Sequence, residues 1–469
     1  MKPGLGIYII FFVCLILVVS FTVSLKNEFY GWVTAITGFS LFFIALILYF
    51  FVILILYFVN RSNNNDNFKL ESAYQTQLQT LSKRFTEVAA SDTSNNISNP
   101  TAKRPITELL SKTDVPISEQ CLTNFYSLAT RFTGYLGPME NGYFDPDTAV
   151  QLAVKAGCRV FVLEIDYLDD CIDKSDKYFP QIVVRDVQGK LIIKYNSNQP
   201  FCNSPEHSNI REVCEKINYY SFSNSTQNST DPVIVVLYFL RQPPGAYDSK
   251  TVLDYYSHVA KSLSPFKDRL ITNELFGGSF YRQKQEDRLI INKLSDYNNR
   301  VLIFSNANTN GFRSEKAPKY SAMDDLDYLI NLRLSYTQTK LGLTDNNSGS
   351  IFGILQTTDD YMIIPSDRSE EVIDNTKLRW TICLSKDPSQ PVTKEVYDKI
   401  TNTYGVNCVP IQLFDINNNF MFTDKTFKTY SFMPKPEPLR YRKPGIVVPG
   451  KANPSMNSNQ GSLRSPTIG

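Results

Sequence analysis

Three uninterrupted apolar runs constrain this chain most: RVFVLEID (159–166), PVIVVLYFL (232–240) and RVLIFSN (300–306). Each has the length of a strand and lacks the polar alternation of a half-exposed sheet. Such runs belong to parallel strands covered on both faces. Further strand-like runs lie at QIVVRDV (181–187), LDYLINLRL (326–334), YMIIP (361–365), LRWTICLS (378–385) and VPIQLFD (409–415). Amphipathic stretches stand between several of them. DTAVQLAVKAG (147–157) opens on a capping Asp147 and stops at Gly157; SKTVLDYYSHVAKSLS (249–264) and PVTKEVYDKITNTYG (391–405) are built alike. About eight strand–helix units across residues 117–441 predict an α/β fold, a TIM-like (β/α)8 barrel, with chemistry at the C-terminal strand ends.

Glu164 and Asp166 stand two apart at the end of the first run, so they share one face of that strand. Asp169 and Asp170 follow just beyond it. Glu164, Asp166 and Asp170 are the candidate metal ligands. The competing expectation pairs the two strand carboxylates with arginines, Arg131 or Arg185, because a buried charge needs a partner. The net charge of +2 provides no basic face for nucleic acid. Eight scattered cysteines, without C-x-x-C spacing, fit a reducing compartment. N-x-[ST] sequons, among them Asn96, Asn224, Asn228 and Asn346, are of the kind an Asn/Ser-rich chain produces by chance.

Residues 5–24 and 31–59 carry no charge. At about 1.5 Å per residue, 20 helical residues span roughly the 30 Å hydrocarbon core. The expectation is a two-helix transmembrane hairpin over residues 1–60. Lys2 before it and Arg61, Lys69, Lys83 and Arg84 after it place both termini and the downstream domain on the cytosolic side. Residues 61–116 read as a juxtamembrane segment. Leu70, Tyr74, Leu78, Leu81, Phe85 and Val88 form one helical stripe over 70–90, suited to self-association or to lying on the bilayer or the domain. Residues 91–116 read as a flexible linker. The tail, 442–469, has four basic and no acidic residues and reads as disordered.

Three stretches resemble phosphoinositide-specific phospholipase C. DTAVQLAVKAGCRVFVLEIDY is similar to that family's S-x-x-A-Y-x-x-A-L-x-x-G-C-R-C-V-E-L-D. DPVIVVLYFL, a helix and SPFKDRLI resemble its Y-P-V-I-L-S-L-E-N-H strand, helix and F-G-D-x-L segment. GVNCVPIQLFD through MPKPEPLR resembles the close of its second catalytic half. The resemblance implies the same barrel, two catalytic histidines and a calcium ion held by Asn, Glu and Asp oxygens. Arg131 stands at the first histidine and Phe132 at the metal-binding Asn. Val184 or Arg185 stands at the second histidine, and Tyr238 at the Glu of L-E-N-H. The E-L-D pair aligns to Val162, Leu163 and Glu164, or, shifted by two, to Glu164 and Asp166.

The chain has two histidines, His207 and His258, and neither matches a catalytic position. An arginine keeps its proton and cannot replace an imidazole as base. The expectation is therefore a membrane-anchored, catalytically inactive phospholipase C-like barrel acting as a structural or assembly module. Two alternatives stand beside it. One is a binding protein for phosphoinositide or inositol phosphate using Arg131, Arg185 and Tyr238. The other is an active phosphodiesterase with a rearranged site. No cofactor is expected, with Ca2+ the alternative at Glu164, Asp166 and Asp170. The expected partners are the lipid bilayer and an anionic headgroup, and composition suggests an internal virion membrane.

Overall fold

The computed structural model describes residues 103–136, 143–168, 178–189, 209–272, 280–285, 288–336, 353–388, 390, 392–412, 427 and 429–442, with isolated positions 40, 46–47, 49–56, 58 and 79. The chain divides into two compact units, Met1–Gln75 and Thr76–Gly469. In the first, residues 49–56 are helical, and Phe50, Phe51, Val52, Leu54 and Leu56 are exposed. No helix among the described residues is long and apolar enough to cross a membrane. Most of the expected hairpin, the stripe at 70–90 and all but the first residue of the tail lie outside the described residues.

The second unit is a mixed α/β fold built on parallel strands. β1 (Ala129–Thr130), β2 (Val160–Asp166), β3 (Val233–Phe239), β4 (Val301–Ser305) and β5 (Leu332–Arg333) pair in that order, all parallel. One residue later β6 (Ser335–Tyr336) begins, and it pairs with β7 (Gly353–Thr357), which pairs with β8 (Trp380–Leu384), again parallel. Ile382 of β8 bridges Cys408, and Ile411 bridges Thr130 of β1. A Cβ at Gly353 would overlap the Arg333 carbonyl oxygen, so β7 can start beside β5 only on a glycine.

Alternate residues of these strands fill one core. Val160 and Val162, Ile234 and Val236, Leu302 and Phe304, Leu332 and Leu334, and Trp380, Ile382 and Leu384 all join it. The period of two makes this the inward face of each strand. Glu164 continues the row of Val160 and Val162, and Tyr238 that of Ile234 and Val236. Both therefore leave the apolar column where the strands end.

Helices lie between the strands: α1 (Pro146–Ala156), α2 (Asn209–Ser221), α3 (Lys250–Ser262) and α4 (Ser369–Leu378). Asp145, not Asp147, caps α1 by accepting from Thr148 N, with Pro146 at the first helical position. Gly157 ends that helix at φ 98°, the left-handed conformation glycine enters freely. Ser249 caps α3.

Several expected elements differ. Of 181–187 only Gln181–Ile182 is a strand, and it pairs antiparallel with the end of β2. Within 326–334 an Asp325-capped helix, Leu326–Leu329, precedes the short β5. Within 361–365 the chain leaves a helix, Thr358–Met362, that begins at a Thr357–Asp360 capping box. Local caps outweigh strand propensity in both places. Residues 106–112, expected within a linker, form a helix whose Ile106 is fully buried and donates its N–H to Asp231 at 2.7 Å.

Described segments distant in sequence are tied together. Phe125–Ser127 pairs antiparallel with Phe432–Pro434. Asn407 donates to the Thr123 and Phe125 carbonyls at 2.6 and 3.0 Å and accepts from Thr381 N and Lys435 Nζ. Lys435 is fully buried, its ammonium facing Asn407 and the Thr376 carbonyl, with no carboxylate partner among the described residues.

Asn407→Ala strands several buried polar groups and should lower unfolding stability by roughly 3 kcal/mol in urea; a loss below about 1 kcal/mol would contradict this linking role. Burial lowers the Lys435 ammonium to about 7, whereas an unfolded lysine holds its proton to about 10.4. Between those values the unfolded chain binds more protons, so stability rises with pH across the window. Relative to Lys435→Met, the wild type should gain on the order of 2 kcal/mol between pH 7 and 9. A pH-independent difference would show that Lys435 does not titrate there.

Candidate functional site

Where the apolar column ends, a cavity of about 470 Å³ opens at the C-terminal strand ends. Arg131, Glu164, Tyr238, Thr357 and Leu384 come from the strands or the residues following them, and Arg185, Arg241, Ser385 and Lys386 from the loops. Tyr238 lies in register with Glu164 across β2 and β3.

The central contact joins Arg131 and Glu164. Arg131 Nε donates to Glu164 Oε1 at 2.5 Å, with the two side chains 6% and 2% exposed. Arg131 Nη1 donates to the Ser385 carbonyl at 2.8 Å, and its backbone N–H donates to the Ile411 carbonyl at 2.9 Å. The guanidinium therefore joins β1 to the loop after β8. Phe132 takes φ 57°, a left-handed conformation that Asn enters more readily than Phe. Its buried ring lies 4.8 Å from the Arg131 guanidinium carbon.

A second cluster forms on Asp166, which is fully buried. Arg185 Nε donates to Oδ2 at 2.5 Å. Arg241 Nε donates to Oδ1 and Oδ2 at 2.9 and 3.0 Å. Tyr167 N–H donates to Oδ1 at 2.7 Å. Arg185 and Arg241 both donate onward to the Tyr167 carbonyl, and Arg241 lies 4.3 Å from the Tyr167 ring centroid.

Most of the residues expected in the site fall among the described ones. Arg131, Glu164, Arg185 and Tyr238 line the cavity, and Asp166 adjoins it through Arg185 and Arg241. Val184 is fully buried and does not line it. Asp169, Asp170 and His207 lie outside the described residues. His258 is on α3, its ring 5.3 Å from that of Phe179, away from the cavity lining. Arg241 was not anticipated, although it directly follows the run 232–240 and so had to emerge near the strand end.

The described residues do not fit calcium. Ca2+ takes six to eight oxygens at about 2.3–2.6 Å. Here Glu164 Oε1 and both Asp166 oxygens already accept guanidinium N–H groups. No cluster of three or more His, Cys, Asp or Glu side chains that could hold a metal occurs among the described residues. Chemically the arrangement holds charge, and none of the three guanidinium groups can serve as a base, because guanidinium stays protonated far above neutrality.

No family model matches the chain, and no curated protein matches it. Among solved structures it is similar to PLC21 of L. pealei, with 12% identity and a TM-score of 0.40 over 69% of this chain and 38% of that one. It is also similar to a calcium-dependent phosphoinositol-specific phospholipase C from the Gram-negative bacterium Pseudomonas sp, with 10% identity and a TM-score of 0.40 over 68% and 97%. A third is a Ca2+-dependent phosphatidylinositol-specific phospholipase C from Streptomyces antibioticus, with 9% identity and a TM-score of 0.39 over 67% and 99%. The chain spans about two fifths of the L. pealei and S. officinalis PLC21 proteins.

Asp166→Asn leaves two guanidiniums without their counter-charge and should cost about 3–5 kcal/mol of unfolding stability. Lys386→Ala, at an exposed position on the rim, should change it by no more than about 0.5 kcal/mol. Equal effects of the two in denaturant titrations would contradict the electrostatic roles assigned here.

Proposed function

We propose that residues 117–441 form a phospholipase C-like (β/α)8 barrel that has lost phosphodiester cleavage. Tethered to a membrane by the apolar segment 1–60, it serves as a structural or assembly module. The parallel pairings from β1 to β5 and from β6 to β8, with the bridges from Ile382 to Cys408 and from Ile411 to Thr130, support the barrel. The uncharged runs 5–24 and 31–59 support the tether, and the resemblance of three ordered motifs supports the ancestry.

One observation carries the loss of chemistry. Arg131, at the position where the resemblance calls for a histidine, forms a buried 2.5 Å pair with Glu164. Transfer to and from an inositol hydroxyl needs a group titrating near neutrality. A guanidinium bound to a carboxylate supplies none. Arg131, Arg185 and Arg241 also spend donors on Glu164, Asp166 and the Ser385, Gly189 and Tyr167 carbonyls. That commitment favours holding the strand ends together over capturing a phosphate. The alternative reading, headgroup binding, has one observation in its favour: Lys386 stands exposed at the cavity rim with no ion pair among the described residues.

The test is the full chain assayed on phosphatidylinositol vesicles, with and without Ca2+. No release of inositol phosphate above the protein-free blank is expected, and headgroup binding should be indifferent to Lys386→Ala. Turnover abolished by Glu164→Gln would overturn the proposal in favour of an active, rearranged phosphodiesterase.

A further inference from the structure

Two sequons lie four residues apart in the loop between α2 and β3: Asn224-Ser225-Thr226 and Asn228-Ser229-Thr230. Such triplets are acceptors for N-linked glycan only where they are reached by the transferase of the secretory lumen. The fold treats the two oppositely. Asn224 is exposed, whereas Asn228 is 2% exposed.

Asn228 is also fully engaged. Its Nδ2 donates to Ser431 Oγ at 2.8 Å and to Asp231 Oδ2 at 3.3 Å, so both amide hydrogens are used. Its Oδ1 accepts from Arg159 Nη2 at 2.8 Å, and its carbonyl accepts from the same nitrogen at 2.6 Å. Arg159, Asp231 and Ser431 are each fully buried. Asp231 in turn holds the N–H of Ile106, and Ser431 leads into the strand Phe432–Pro434 that closes the unit. Burial pushes the Asp231 carboxyl up to about 6, opposed by the nearby Arg159.

From this geometry we infer that the domain folds on the cytosolic side of its membrane, because an unmodified Asn228 is a condition of the native structure. Glycosylation would replace one Nδ2 hydrogen with a bond to the anomeric carbon of the oligosaccharide. The lipid diphosphate carrier would leave with the proton released from nitrogen. The product has one hydrogen too few for the contacts to Ser431 and Asp231. It also places a large polar group in a site closed to solvent. Folding could not protect the sequon in time, since Ser431 is made 203 residues after Asn228. A chain entering the lumen would present Asn224 and Asn228 throughout that interval. The inference goes beyond the proposed scaffold function and rests only on its membrane tether, not on the loss of phosphodiester cleavage.

The full chain, expressed in mammalian cells and recovered in microsomes, tests it with two readouts. No mobility shift on glycosidase treatment is expected, with Asn224 and Asn228 both unmodified by peptide mass spectrometry. Protease added outside sealed microsomes should digest the domain without detergent. A glycan at either asparagine, or a domain protected until detergent is added, overturns the inference. Failure of these assays leaves the vesicle result untouched, so the two proposals fail separately.

Discussion

Arg131 and Glu164 solve a problem set by the column of apolar side chains beneath them. That column fills the space between parallel strands until it meets the strand ends, where the inward face turns polar. A carboxylate that is 2% exposed cannot remain ionised alone at acceptable cost. Arg131 supplies the counter-charge and ties β1 to the loop after β8. Asp166 repeats the solution one inward position further on, with two guanidiniums instead of one. Such pairs are not strong net stabilisers, but breaking one leaves a buried charge and is costly.

The same contact decides what the cavity can do. A site for in-line transfer at phosphorus needs a titrating base and a cation held by free oxygens. At the strand ends the described residues instead present permanently charged guanidinium groups bound to carboxylates. The cavity lies at the strand ends. Its lining joins elements distant in sequence: residue 131 to residues 164 and 385, and residue 166 to residues 185 and 241.

Much of this was legible in the sequence, and what was not has physical reasons. β2, β3 and β4 declared themselves because burial on both faces leaves no polar alternation. Their runs at 159–166, 232–240 and 300–306 match the strands closely. The i, i+2 spacing of Glu164 and Asp166 placed both on one face of the strand, which the core residues Val160 and Val162 identify as the inward one. β7 was missed: its five residues begin on Gly353, a weak strand former whose reason is a close backbone approach. The strand expected at 326–334 shrank because Asp325 caps a helix there, and Asp325 was visible as a capping residue. Arg241 could have been found from its place after β3. The Asn228 hub could not, because its partners lie 69 and 203 residues away, and a sequon in an Asn-rich chain looks like chance.

A double-mutant cycle on Arg131 and Glu164, measured by denaturant unfolding, reaches the central contact most directly. Arg131→Met, Glu164→Leu and the double variant provide the three legs. A coupling between about 1 and 3 kcal/mol is expected, with the double variant more stable than either single one. A coupling indistinguishable from zero would contradict the view that this pair holds the strand ends together.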